Sequence, residues 1–169
     1  FGEAFFRSLH SQITINQDAE VQQYIEPIGE KLVANSDSPA SPFHFFVVLE
    51  NDINAFAGPG GYIGVNSGLI LMTEEESELA SVIAHEIGHV TQRHLFRAAE
   101  ASSRLSIPTM AATLAAILLG TQSPALGQAA ILAIQAGSVQ FQINFTRENE
   151  AEADRVGMQT LADSHFNPR

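Results

Sequence analysis

The spacing of apolar positions changes several times along the chain, and each change predicts an element. From Asp18 to Val33, the residues Val21, Ile25, Ile28 and Leu32 recur at steps of four, three and four. That spacing marks one face of a helix, and Asp18 stands in front of it as an N-cap. The polar run Asn35-Ser36-Asp37-Ser38-Pro39-Ala40-Ser41-Pro42 predicts a loop, and the β-rich run from Phe43 to Leu49 predicts a strand at the centre of a sheet. Between Ile53 and Val65, Gly58, Gly60, Gly61 and Gly64 punctuate Ala55-Phe56-Ala57 and Tyr62-Ile63-Gly64-Val65. This predicts a hairpin, or two short strands around a turn, and so a small sheet.

Helical spacing resumes after Thr73, an N-cap candidate followed by Glu74, Glu75 and Glu76. Acidic residues suit the positive end of a helix dipole, and Leu79, Val82, Ile83, Ile87 and Val90 continue the apolar stripe. An apolar stretch of small residues then runs from Ile107 to Phe141. Pro108, Gly120, Ser123-Pro124 and Gly127 divide it into pieces shorter than the roughly 20 residues of a membrane span. It predicts a buried helical hairpin; the alternative is a lid over an active site or a docking surface for an apolar polypeptide. A last helix starts near Arg147 and carries Ala151, Val156, Met158 and Leu161 through about Asp163.

Composition narrows what this arrangement serves. A length of 169 residues fits one domain spanning 1–169 with one active centre. The formal charge of −11, from 19 acidic and 8 basic residues, argues against nucleic-acid binding, which needs clustered cations. With no cysteine there are no disulfides, thiolate zinc clusters or Cys nucleophiles, so any metal must rest on His, Asp or Glu. The start at Phe1 lacks a basic segment followed by an apolar one, as expected where a signal peptide is absent or removed. The end, His165-Phe166-Asn167-Pro168-Arg169, follows directly on a helical pattern and is expected to be a cut rather than a natural tail.

The segment Ala84-His85-Glu86-Ile87-Gly88-His89-Val90 contains HExxH. On a helix, a spacing of four turns both imidazoles to one face, where they can share a metal. Glu86 adjoins one ligand yet is angled away from the metal, where its carboxylate can accept a proton from water. The competing explanation is two solvent-facing or core histidines on an ordinary helix. Gly88 favours a special site, because glycine in mid-helix costs about 1 kcal/mol relative to alanine and needs close packing or a cleft to justify it.

A catalytic zinc takes three protein ligands and leaves a fourth position open, so a third ligand is required. His94 stands nine residues after His85, whereas HExxHxxGxxH needs a histidine at ten, where Leu95 lies, and Gln92 occupies the glycine position. His94 is therefore expected to be a surface histidine or one supporting the ligands from behind. His44 and His165 have no partner spacing. The remaining candidate is Glu148-Asn149-Glu150-Ala151-Glu152-Ala153-Asp154. Glu150 and Asp154 lie one helical turn apart, so one carboxylate can reach the metal while the other accepts the far N–H of a ligand histidine. Glu148 and Glu152 fall on other faces and are expected to face solvent. The whole cluster can also be a solvated charged face.

HExxH followed at long range by ExxxD resembles the gluzincin peptidases grouped with HtpX, Oma-type and CAAX-prenyl proteases, and most closely their periplasmic BepA-like branch. The likeness runs through Pro42-Phe43-His44-Phe45-Phe46, Ile53-Asn54-Ala55-Phe56-Ala57, Gly60-Gly61 and the segment from His85 to His94, nearly the whole chain. It implies an α+β, mainly helical, zincin-like domain with a small β-sheet beside the HExxH helix. It also implies one Zn2+ on His85, His89 and Glu150, a general base at Glu86, and Asp154 in support. The implied activity is hydrolysis of misassembled outer-membrane β-barrel precursors in the periplasm. It further implies a C-terminal tetratricopeptide domain that contacts the outer-membrane assembly machinery, and the chain is expected to be the peptidase domain without it. A soluble or peripheral protein is expected.

The expected mechanism is metal-assisted peptide hydrolysis, with an extended unfolded substrate pairing along an edge strand at Asn54, Ala55, Phe56 and Ala57. The alternative is a latent, chaperone-like module that holds unfolded clients on its apolar hairpin. It fits less well, because a structural zinc site normally shows four protein ligands.

Overall fold

The structure is a computed structural model that describes residues 2–104 and 124–168. Its elements are α1 (Gly2–His10), α2 (Ala19–Ala34), β1 (His44–Val48), β2 (Ala55–Gly58), β3 (Tyr62–Asn66), α3 (Ser67–Met72), α4 (Glu76–Thr91) and α5 (Pro124–Asp163). Residues 94–104 are also helical. The class is α+β and mainly helical, as expected. By contacts the chain divides into two compact units, Phe1–Leu95 with Ala151–Arg169, and Phe96–Glu150. Helix α5 contributes to both.

In the first unit, α2 starts where Asp18 accepts the Glu20 N–H at 2.9 Å, and its apolar face buries Ile25, Ile28 and Leu32. α2 packs on β1 and on α4, and α4 covers β2 and β3. The core between them holds Ile63, Val65, Leu79, Ile83 and Ile87, all fully buried. Gly29 permits the close approach of α2 to β1, because a Cβ there would lie 2.5 Å from the Phe45 ring.

The sheet order is β1-β3-β2, so β3 is the central strand and the expected central run, Phe43 to Leu49, forms an edge. β1 is parallel to β3, with His44 opposite Tyr62 and Val48 opposite Asn66; β2 is antiparallel, with Ala55 opposite Val65. β1 is nevertheless buried over four of its five residues. Its outer side is closed by the preceding chain: the Leu49 N–H donates to the Thr14 carbonyl and the Asn16 N–H to the Val47 carbonyl, both at 2.8 Å. A buried apolar run does not distinguish a covered edge from a centre. The turn joining β2 and β3 uses Gly60 and Gly61 at φ of 84° and 78°, and a Cβ on Gly61 would collide with the Pro42 carbonyl oxygen.

Three expectations about helices change. Thr73 ends α3 instead of starting α4, which begins after Glu75; Glu78 reaches back to accept the Glu74 and Glu75 N–H groups at 2.7 and 3.4 Å. The last helix starts at Pro124, far ahead of Arg147. Among the described residues of the apolar stretch within α5 none is buried, and Leu132, Val139 and Phe141 are exposed. Pro108 and Gly120 lie outside the described residues. No helix among the described residues is long and apolar enough to cross a membrane.

The end of α5 is fixed to the first unit. His165 takes φ 57°, the His165 N–H bonds the Ala162 carbonyl at 3.0 Å, and the Phe166 N–H bonds the Leu161 carbonyl at 3.2 Å. This paired closure satisfies carbonyls that the helix end would leave open. Phe166 is buried, with the Lys31 ammonium 4.1 Å from its ring centroid, and the Asn167 N–H donates to Ser77 Oγ. In the second unit, Phe141 stacks on Phe145.

Candidate metal centre

On α4 the residues Leu79, Ala80, Ile83, Ala84, Ile87 and Gly88 face the core, which leaves His85, Glu86 and His89 partly buried on its flank. The acidic segment of α5 comes close to α4 at two glycines. A Cβ on Gly88 would lie 3.1 Å from the Ala153 carbonyl oxygen, and one on Gly157 would lie 2.9 Å from the His85 backbone N and Cα. Gly88 thus has the close packing that its helix-propensity cost demands.

The two ring nitrogens of each HExxH histidine face different partners. His85 Nδ1 lies 2.8 Å from Asp154 Oδ1, and His85 Nε2 lies 3.0 Å from His89 Nε2. His89 Nδ1 lies 2.9 Å from His94 Nδ1. Both Nε2 atoms therefore converge, and donor atoms of His85, His89 and Glu150 all lie within 4.8 Å of one another. In a tetrahedral site with Zn–N bonds of about 2.0–2.1 Å, two nitrogens stand about 3.3 Å apart. The 3.0 Å between the Nε2 atoms matches that edge within a few tenths of an ångström. The two-nitrogen, one-carboxylate set fits a zinc ion with room for a further ligand.

Glu86 is partly buried on α4, between the two histidines in sequence. Asn54 is exposed just before β2, Ala55 is buried, and Phe56 and Ala57 are partly buried on that edge strand. His44 stacks on Tyr62 at 4.6 Å, and His165 is exposed at the end of α5; neither belongs to the donor group. Glu148 is exposed, as expected.

Glu152 corrects the expectation that it faces solvent. Its side chain is 29% exposed, and Oε2 lies 3.0 Å from His94 Nε2. His94 itself is buried, at 4% exposure. Helical spacing misses this pair because α4 does not continue to His94. The helix ends at Thr91, Arg93 takes the left-handed conformation at φ 57°, and the chain turns so that His94 returns to His89. Spacing counted along an uninterrupted helix places His94 on the wrong face.

The sequence profile of peptidase family M48 matches residues 19–169. The chain is 48% identical over 166 residues to the beta-barrel assembly-enhancing protease of Vibrio cholerae, covering 98% of this chain and 34% of that protein. It is 46% identical over 168 residues to that of Yersinia pestis, covering 99% and 35%. With that of Escherichia coli K12 the identity is 44% over 168 residues, covering 99% and 34%. The chain thus spans about a third of the length of these relatives. The profile match covers most of the chain, including the HExxH helix and the acidic segment of α5, and the chain belongs to peptidase family M48.

Proposed function

We propose that this chain is a zinc-dependent endopeptidase that cleaves unfolded or misassembled polypeptides during outer-membrane protein assembly in the periplasm. The observation that carries the reading is the convergence of His85, His89 and Glu150 donor atoms beside Glu86 on α4. His85, His89 and Glu150 hold the ion, and Asp154 orients His85. Zinc, when bound, polarises the scissile carbonyl and makes water acidic enough to ionise near pH 7. The Glu86 carboxylate takes the proton from water and passes it to the leaving amine. An extended substrate adds to the sheet along β2, where the backbone of Asn54, Ala55, Phe56 and Ala57 offers edge-strand hydrogen bonds. The relatives' role in β-barrel assembly supports unfolded β-barrel precursors as the substrate class.

The test pairs zinc content with casein hydrolysis in the parent, Glu86→Gln and Glu150→Gln. The parent should bind about one zinc and cleave; Glu86→Gln should bind zinc without cleaving; Glu150→Gln should bind weakly. Zinc binding without cleavage by any of the three favours a client-holding module. Parent-like affinity in Glu150→Gln removes it as a ligand.

A further inference from the structure

A histidine that presents Nε2 to a metal carries its hydrogen on Nδ1, and that hydrogen needs an acceptor to fix the tautomer and the ring plane. For His85 the acceptor is a carboxylate, Asp154. For His89 the group 2.9 Å from Nδ1 is another imidazole, His94. An imidazole accepts at Nδ1 only when its own hydrogen sits on Nε2, and His94 Nε2 lies 3.0 Å from Glu152 Oε2. The proton order is therefore set along the whole chain: His89 Nδ1–H donates to His94 Nδ1, and His94 Nε2–H donates to Glu152. The surroundings differ from those of Asp154, whose side chain is 75% exposed. His94 is buried and the Glu152 side chain is only 29% exposed, so water competes less for these bonds.

We propose that His94 and Glu152 are positioning residues for His89, with Glu152 acting through His94 to hold the His89 ring with Nε2 toward the metal. The left-handed Arg93 serves this arrangement, since it returns the chain after α4 to the back of His89. Neither residue touches the reacting atoms. The inference rests on the zinc-peptidase reading only for the identity of the ion.

The test measures zinc affinity by competition with a chelating dye, together with the visible absorption of the cobalt(II)-loaded protein. Glu152→Ala should weaken zinc binding by about 10–100-fold and alter the cobalt bands. Glu152→Gln keeps an acceptor oxygen and should restore most of the loss. Glu148→Ala, which removes the same charge from an exposed position on the same helix, should match the parent. In a His94→Gln background, Glu152→Ala should add less than about twofold, because the two residues act in series. Parent-like affinity and cobalt bands in Glu152→Ala, or an equal loss in Glu148→Ala, overturn the proposal. So does a full further loss in the double variant. If His94→Gln does not fold, the Glu152 and Glu148 variants decide alone. A parent that takes up no zinc overturns the function and this inference together, whereas a zinc-binding parent with an indifferent Glu152 overturns this inference alone.

Discussion

Asp154 and Glu152 sit two residues apart on α5 and both end in carboxylates, yet their environments predict different consequences of removal. Asp154 contacts His85 directly, but water competes for its largely exposed side chain. Asp154→Ala should therefore fall at the low end of the usual range, about tenfold in zinc affinity, and Asp154→Asn should cost less. Chelator competition measures both, and a loss in Asp154→Ala well beyond that for Glu152→Ala would mean that exposure is a poor guide here. Arg93 makes a second contrast at this scale. A side chain at φ 57° carries a steric cost of about 1–2 kcal/mol, largest for β-branched residues. Arg93→Gly should keep the turn and melt within a few degrees of the parent. Arg93→Val adds β-branching to a cost that arginine already carries, an excess of about 1 kcal/mol, and should lower the melting temperature by about 2–4 °C for a chain of this length.

At the scale of elements, the contact of α4 with α5 depends on two glycines that tolerate change unequally. Alanine at either mid-helix position gains about 1 kcal/mol of helix propensity. At Gly88 the added Cβ meets one carbonyl oxygen at 3.1 Å, which a small shift relieves. At Gly157 it meets the backbone of His85 at 2.9 Å, which yields only if the helices separate. Gly88→Ala should thus be near neutral in thermal melts, while Gly157→Ala should lose up to about 2 kcal/mol net and weaken zinc binding by moving His85 from Glu150. The same helices show what sequence discloses. Within one uninterrupted element, spacing suffices: it puts His85 and His89 on one face, and the mid-helix cost of Gly88 signals a close neighbour. Across a break in an element it fails. The His94–Glu152 contact depends on one left-handed residue, and the edge position of β1 depends on the Thr14–Asn16 segment. In each case a residue type permits two backbone paths, and contacts distant in sequence choose between them.

At the scale of the molecule, the donor atoms come from helices far apart in the chain, His85 and His89 from α4 and Glu150 from α5. An unfolded chain brings them together only against the entropy of closing the long intervening loop, so zinc held as proposed would favour the folded state strongly. Zinc at about 1,000 times its dissociation constant then adds about 4 kcal/mol of stability. For a chain of this length, that raises the melting temperature by about 8–16 °C. Melting with zinc, and again after chelation and removal of the metal, should show that difference in the parent. Glu150→Gln should shrink it, because α5 then loses its direct bond to the ion while α4 keeps a two-histidine site. An undiminished shift in Glu150→Gln would locate the stabilising metal elsewhere. A shift in the parent that vanishes in Glu150→Gln would mean that the carboxylate on α5, and not the histidine pair alone, is what couples metal binding to folding.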